Sequence, residues 1–377
     1  LGAQVSSVAV KLTSQPITKR FALLLAGAGH AHLGVLRQWA SQPQSRPSGR
    51  IGLLSADAHA WYSGMLPGLL AGRYALDECR IELTQLCAAA EVELMIGQAC
   101  GLDPQQNQLQ LADAKTLHYG YLSLNLGSLP ALPGQSDSGL ELLAIKPFSA
   151  FITRWQHWQA QPQALAIIGG GAAGVELALA LAPQLPAVTL LSADTLLMGH
   201  PPALCQRALI HLSKAGVTVR EHCRVDKVQQ QQLISAEQTV WQGTRAIVAS
   251  GASALPWLQY GGLACDERGF VRIGATLQST SHANIFAVGD CASLANTPHN
   301  GVYAVRQGPV LAHNLAALLQ ARPLQDYQPQ PRALALLATG DGGALASWAG
   351  ITAEGRWLGR WKDYLDQSFM RRHRLID

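Results

Sequence analysis

Short apolar runs set off by glycine-rich turns recur along this chain, the pattern of buried strands alternating with helices. Residues 21–26 read as a strand, Gly27-Ala28-Gly29-His30-Ala31-His32 as a tight turn, and the residues through about Ala40 as a helix. A loop rich in Pro, Gln and Ser follows, then a second strand at Ile51–Ser55. The same order returns later: a strand ending at Ile168, the turn Gly169-Gly170-Gly171-Ala172-Ala173-Gly174, a helix carrying Glu176, and another apolar run. Both second runs end in the same letters, Leu53-Leu54-Ser55-Ala56-Asp57 and Leu190-Leu191-Ser192-Ala193-Asp194. The two turns begin 142 positions apart.

Further strands are predicted at residues 92–96 and 121–126, the latter ending at Gly127-Ser128-Leu129-Pro130. A connecting helix spans 148–161, and Ala249-Ser250-Gly251-Ala252 echoes the Gly127 turn. Residues 284–290 form a buried strand ending in Asp290, with a helix over about 303–320. From residue 332 the pattern changes to a hairpin (333–338 and 344–349) and an amphipathic helix from about Trp357. The strand ending at Asp290 has no role in the second unit, which is therefore read as inserted in the first. The expected fold is α/β, with two Rossmann-like dinucleotide-binding domains and a small C-terminal hairpin-helix region. Residues 21–147 and 252–331 make the first domain, 148–251 the second and 332–377 the C-terminal region; 1–20 read as a flexible extension.

The chain has 377 residues, 48% of them hydrophobic and 14% charged, which suits full cores and many tight βα turns. A net charge of +4 is small for this length and gives no reason to expect nucleic acid. No apolar run approaches the ~20 residues of a membrane span. The seven cysteines include no C-x-x-C pair, so neither a metal site nor dithiol chemistry has a signature, and reduced thiols in the cytoplasm are expected.

In a dinucleotide turn the first glycine allows the bend and the second admits the pyrophosphate. The third lets helix and strand pack, while the helix N-terminus favours the phosphates. The second turn has all three, Gly169, Gly171 and Gly174; the first has Gly27 and Gly29 but His32 in third place, which should loosen packing there. His30, at the helix start, is a candidate phosphate contact. The acid that usually binds the adenosine ribose is replaced by Ser55 in one unit and Ser192 in the other, leaving NADH versus NADPH open. Asp290 stands where open α/β sheets bind ligands, either as a ribityl contact or as a helix cap.

With these motifs the chain resembles the pyridine nucleotide-disulfide oxidoreductase superfamily of two-domain flavoproteins. It is most similar to the subgroup fused to or associated with selenophosphate synthetase (selenide, water dikinase), and is related to type II NADH dehydrogenases. The segments that carry this are Gly29-His30-Ala31-His32, Tyr62-Ser63-Gly64-Met65-Leu66-Pro67-Gly68, Asp77-Glu78-Cys79 and Lys362-Asp363-Tyr364-Leu365-Asp366-Gln367-Ser368-Phe369-Met370. The resemblance implies FAD in the first unit, with Gly27 and Gly29 at its pyrophosphate and Asp290 at its ribityl chain. The loop with Ser63 and Met65 would run past the isoalloxazine, and the helix after Gly301 and Val302 would aim its N-terminus at the pyrimidine end. The Gly127 and Gly251 turns match the family pattern. NADH or NADPH would occupy the second unit at Gly169, Gly171 and Gly174, with Glu176 as the acid near the nicotinamide. A carboxylate so early in a helix also complements its dipole.

The chain departs from its relatives in two respects. Disulfide reductases carry a cysteine pair that is absent here, and Cys79, Cys100 and Cys291 do not reproduce the sulfide:quinone arrangement. Gly301-Val302-Tyr303-Ala304-Val305-Arg306 stands where quinone-reducing type II enzymes carry two glutamines. The leading expectation is an FAD enzyme passing electrons from NAD(P)H to a small-molecule acceptor, linked by the resemblance to selenium metabolism. Its alternatives are quinone reduction at a membrane surface and a flavin-binding accessory or sensor for selenophosphate synthetase. Partners would then be that synthetase and a second copy of the chain. Trp357, Trp361, Tyr364, Leu365 and Phe369 form one stripe on the last helix. It is expected to pack on the hairpin rather than on a membrane, with Asp363 and Asp366 weakening attraction to anionic lipid.

Overall fold

The computed structural model describes residues 19–135 and 139–374. The predicted extension lies outside these residues except for Lys19 and Arg20, and Arg20 already belongs to the first strand. That strand, Arg20–Ala26, pairs in parallel with Ile51–Ser55 on one side and Thr116–Leu124 on the other. Glu93–Ile96 extends the sheet past Ile51–Ser55, and Ile285–Ala287 joins Thr116–Leu124, both in parallel. Leu23, Leu24, Leu25 and Ala26 are fully buried, which explains their lack of polar alternation: both faces of the strand are covered. The strand expected over 121–126 is longer and starts at Thr116, because Ala99–Asp103 and Gln108–Leu111 form an antiparallel meander with its first half.

The second sheet runs Glu141–Ala144, Arg245–Val248, Leu165–Ile168, Val188–Leu191, Thr218–Arg220, with every neighbouring pair parallel. The boundary expected at residue 148 is therefore too late, since Glu141–Ala144 is an edge strand of this sheet. It opens on the exposed Glu141 and has only three apolar residues after it, too short a run to stand out. Leu129–Pro130 on the way out and Ala252–Ser253 on the way back pair antiparallel, stitching the two crossings together.

His32 does not loosen its helix. Its ring is fully buried, with Nδ1 2.6 Å from the Gly27 carbonyl and Nε2 2.8 Å from the Ser123 hydroxyl. Nδ1–H donates to the carbonyl and Nε2 accepts from the hydroxyl, so the ring is neutral; burial pushes its pKa down to about 4. The helix His30–Ser41 packs on Gly301–Leu319 where two glycines meet: a Cβ on Gly34 would lie 3.6 Å from the Gly308 Cα.

The C-terminal region holds three antiparallel strands, Ala335–Ala338, Ala344–Trp348 and Ile351–Gly355, where a hairpin was expected. Ala349 (φ 55°) and Gly350 (φ 86°) form the second turn, and alanine in place of the usual Asn or Asp hid it. The helix Arg356–His373 then packs against these three strands and against the helix His30–Ser41 of the first unit.

Candidate active site between the two nucleotide units

The first glycine turn is set by Asn125, at the end of the adjacent strand. Its Oδ1 accepts from the Ala31 and His32 amides (3.1 and 3.2 Å), and its Nδ2 donates to the Val288 carbonyl at 3.0 Å. Gly27 adopts φ +93°, and a Cβ there would lie 2.4 Å from the Asn125 carbonyl oxygen. A Cβ on Gly29 would meet the Asn125 side chain at the same distance. Gly29 at the N-cap has no side chain and Asn125 takes the Ala31 and His32 amides, so a pyrophosphate would meet the glycine turn's backbone and the positive end of the helix rather than those two amides. The helix Gly301–Leu319 starts against it: a Cβ on Gly301 would lie 3.7 Å from the His30 ring. Val302 donates its amide to the Asn300 cap, and its side chain is exposed.

Asp290 follows the strand Ile285–Ala287 in a short turn, Gly289–Cys291. Its Oδ2 pairs with the Lys146 ammonium at 3.0 Å, with Ser128 alongside at 3.4 Å. The buried Oδ1 has no partner among the described residues. A buried carboxylate oxygen without a donor is what a ribityl hydroxyl would satisfy, so the residues present fit FAD. His30 has a buried, unpartnered Nε2 and stands edge-on to Tyr62 and Phe369, each 5.4 Å away. Burial pushes its pKa down to about 4, leaving a neutral ring that can offer one N–H to a phosphate but no full charge.

The other predicted positions differ in what they offer. Ser55 Oγ is turned into its own loop, donating to the Asp57 carbonyl at 2.7 Å. Met65 is buried in the first core, whereas Ser63 is exposed on the loop. Gly127 adopts φ +70° beside Ser128.

In the second unit Gly169 adopts φ +131°, and a Cβ on Gly174 would lie 1.8 Å from the Gly169 carbonyl oxygen. Around Gly171 and Gly251 nothing lies within 4 Å of an added Cβ, leaving open approach for a ligand backbone. Ser192 is buried, its Oγ 2.0 Å from where a Gly170 Cβ would stand. Glycines where the chain needs them and free space where a phosphate would lie fit a dinucleotide here too.

Glu176 is not in the first helical turn: the helix is Ala172–Leu181, and Glu176 is its fifth residue. The dipole explanation therefore falls. Its Oε1 accepts from the Ala338 amide at 2.8 Å, and the charge of Lys362 on the C-terminal helix acts on it. Burial pushes its pKa above the usual carboxylate range; Lys362 and the Ala338 amide oppose the shift.

The C-terminal helix also departs from expectation. Trp357 (61% exposed), Trp361 (40%), Tyr364 (61%) and Leu365 (39%) face outward; of the stripe, only Phe369 turns in, stacking on Tyr62 at 4.5 Å. The packed face instead holds Leu358, Lys362, Asp366, Met370 and His373. Lys362 and Asp366 can go inside because they neutralise one another at 2.8 Å. Asp363 is taken up by Arg73 and the Tyr74 hydroxyl, so neither acid faces a lipid surface.

Cys79 and Cys291 are buried thiols whose pKa values burial pushes up to about 12 and about 11. Neither is a thiolate at neutral pH, and Cys100 is exposed on the Ala99–Asp103 strand. Alkylating accessible thiols should leave electron transfer from flavin to acceptor unchanged. Loss of turnover under iodoacetamide, prevented by Cys79→Ser or Cys291→Ser, would refute a thiol-free mechanism.

Comparisons with known proteins agree with this geometry. The family model described as pyridine nucleotide-disulphide oxidoreductase matches residues 22–308. The chain is 25% identical over 249 residues to ferroptosis suppressor protein 1 of Taeniopygia guttata, covering 62% of this chain and 65% of that protein. It is 26% identical over 300 residues to the demethylphylloquinone reductase NdbB of Synechocystis, 72% of each chain. Its fold is similar to that of the sulfide:quinone oxidoreductase of Aquifex aeolicus, with a TM-score of 0.77, 17% identity, and coverage of 95% of this chain and 92% of that one. Two glycine turns, an open carboxylate at Asp290 and a match across most of the chain lead to one assignment: the chain belongs to the pyridine nucleotide-disulphide oxidoreductase family of FAD- and NAD(P)H-dependent oxidoreductases.

Proposed function

We propose that this protein oxidises NADH or NADPH through FAD and passes the electrons to a quinone-type acceptor drawn from a membrane surface. FAD, when bound, supplies the hydride-accepting and electron-releasing chemistry. The turns at Gly27 and Gly169 would hold the pyrophosphates of the two nucleotides, and holding both in one chain would bring donor and flavin together. The observation that carries the membrane-surface contact is an apolar cleft of about 300 Å³ in the C-terminal region. Trp348, Ile351, Ala353, Trp357, Leu358 and Trp361 line it. Arg356, Arg360, Arg371 and Arg372 stand exposed on the same helix, a combination suited to the headgroup level of an anionic bilayer. Among the described residues no helix is long and apolar enough to cross a membrane, so the proposed contact is peripheral. The names of the similar proteins, a demethylphylloquinone reductase and a sulfide:quinone oxidoreductase, support the quinone-type class of acceptor. The missing glutamines imply a quinone ring held differently from that of the type II enzymes.

A selenium compound, with selenophosphate synthetase as partner, is the competing proposal and rests on the resemblance alone. The two separate in one experiment. Protein reduced anaerobically with NADH or NADPH is mixed with a short-chain benzoquinone or with selenite, and flavin reoxidation is followed. Fast reoxidation by quinone is expected; reoxidation by selenite alone would overturn the reading, and no flavin reduction by either nucleotide would favour the accessory role. The protein should also co-sediment with phosphatidylglycerol vesicles at low salt. Replacing Trp357 and Trp361 by serine should weaken that binding about tenfold or more, from the apolar area removed.

A further inference from the structure

One carboxamide beside the helix Gly301–Leu319 is buried with nothing to bond. Neither Nε2 nor Oε1 of Gln330 has a hydrogen-bond partner among the described residues. A buried donor and a buried acceptor left unmatched cost stability, so this side chain calls for a partner from outside the chain. Its backbone, in contrast, is fixed. Asn314 Nδ2 donates to the Gln325 carbonyl at 2.8 Å, and Asn314 Oδ1 accepts from the Gln325 amide at 2.7 Å. At the other end the Tyr303 hydroxyl donates to the Gln330 carbonyl at 3.3 Å. The rise along the helix from Tyr303 to Asn314 and the reach of an extended chain from Gln325 to Gln330 are both about 16 Å, so the segment runs straight back to the first helical turn. Pro329 and Pro331 flank Gln330 and favour that extended backbone.

The start of the same helix is where the flavin-site groups gather. Gly301 stands beside the His30 ring, and the Gly289 amide, next to Asp290, donates to Gln307 Oε1 at 2.7 Å. His30, Asp290 and Gln330, each with a buried polar atom lacking a partner, are thus all anchored to the first two turns of one helix. Asp290 suits ribityl hydroxyls. What Gln330 suits follows from its chemistry, because a carboxamide sets an acceptor and two N–H donors on one planar edge. Phosphate oxygens and quinone carbonyls only accept, and would leave Oε1 unmatched. The pyrimidine edge of a flavin carries a ring N–H between two carbonyls, and matches both atoms at once.

We propose that Gln330 binds the pyrimidine edge of the flavin, with Oε1 accepting from the ring N–H and Nε2 donating to a neighbouring carbonyl. The proposal rests on FAD occupying the first unit and is independent of the acceptor. It puts a flavin-recognising side chain outside both the first glycine turn and the 62–68 loop, on the segment that leads into the C-terminal strands.

The test titrates two flavins into the flavin-free protein, FAD and FAD methylated at the pyrimidine N–H. The wild type should bind the methylated flavin about tenfold more weakly, the loss of one hydrogen bond. Gln330→Met keeps the length of the side chain and removes both polar atoms. It should bind FAD about tenfold or more weakly than the wild type, and methylation should then make no further difference. Infrared spectra with carbon-13 at the pyrimidine carbonyls supply a second readout, and the carbonyl stretch should move to higher frequency in Gln330→Met. Gln330→Glu, which as a carboxylate keeps the acceptor and loses the donor, serves where the methionine variant does not fold. There the methylation penalty should remain while the stretch still moves. Equal affinity of the wild type for the two flavins, a methylation penalty that persists in Gln330→Met, or an unmoved stretch would overturn the proposal and assign the carboxamide to a buried water. A wild type that binds neither flavin would overturn the FAD reading, and the proposal with it.

Discussion

Replacing Gly174 by valine is expected to lower kcat/KM for NADH by about a hundredfold or more while FAD stays bound. A Cβ at this position would stand 1.8 Å from the Gly169 carbonyl oxygen and 3.0 Å from its carbon. Both are backbone atoms, so no rotamer change relieves the contact. The helix Ala172–Leu181 must withdraw from the turn, carrying its N-terminal amides away from the pyrophosphate position. Overpacking of this kind costs about 1–3 kcal/mol, and lost phosphate contacts add to it; about 3 kcal/mol corresponds to the hundredfold loss. The first turn lies in the other sheet and is untouched, so the flavin absorbance should be unchanged. Stopped-flow reduction by NADH reads the effect, and wild-type rates in Gly174→Val would remove NAD(P)H from the second unit.

Loss of FAD is the expected consequence of Asp290→Ala. The substitution removes the unpartnered buried oxygen offered to the ribityl chain and leaves the Lys146 ammonium, 3.0 Å from that carboxylate, without its counter-ion. A hydrogen bond to a charged group contributes about 1.5–3 kcal/mol, so occupancy should fall at least about tenfold at limiting FAD. Glu176→Ala, in the other unit, should leave occupancy near the wild-type value. The ratio of flavin to protein absorbance after gel filtration distinguishes the two, and equal occupancy in both variants would mean that Asp290 only shapes its turn.

The two units were legible in sequence because tight turns demand glycine at fixed spacing, and nothing else can stand at Gly27, Gly169 or Gly174. Strands buried on both faces gave unbroken apolar runs. Less visible was whatever depends on a distant partner. Asn125 looks like any strand-end residue until its side chain is seen holding both the helix start and Val288. Lys362 and Asp366 read as surface charges, because an acid and a base four apart on an amphipathic helix are normally solvated. Their burial depends on the Tyr62 loop, some 300 positions earlier. Periodicity located the aromatic stripe of the same helix, but could not say that the charged face would pack and the aromatic face would stay open.

The late position of Lys362 also bears on how the protein comes off the ribosome. Both glycine turns and Asp290 emerge well before the C-terminal helix, so a nascent chain presents both turns while Lys362, which holds the Gly64 carbonyl, is still missing. Such a chain would have both turns but an untied 62–68 loop, with the Gly64 carbonyl and the Tyr62 hydroxyl lacking their partners on the last helix. Docking of the helix Arg356–His373 then ties that loop down and presents the outward aromatic face in one step. Synthesis order thus puts the tied loop and the aromatic surface in place together, both waiting on the last helix.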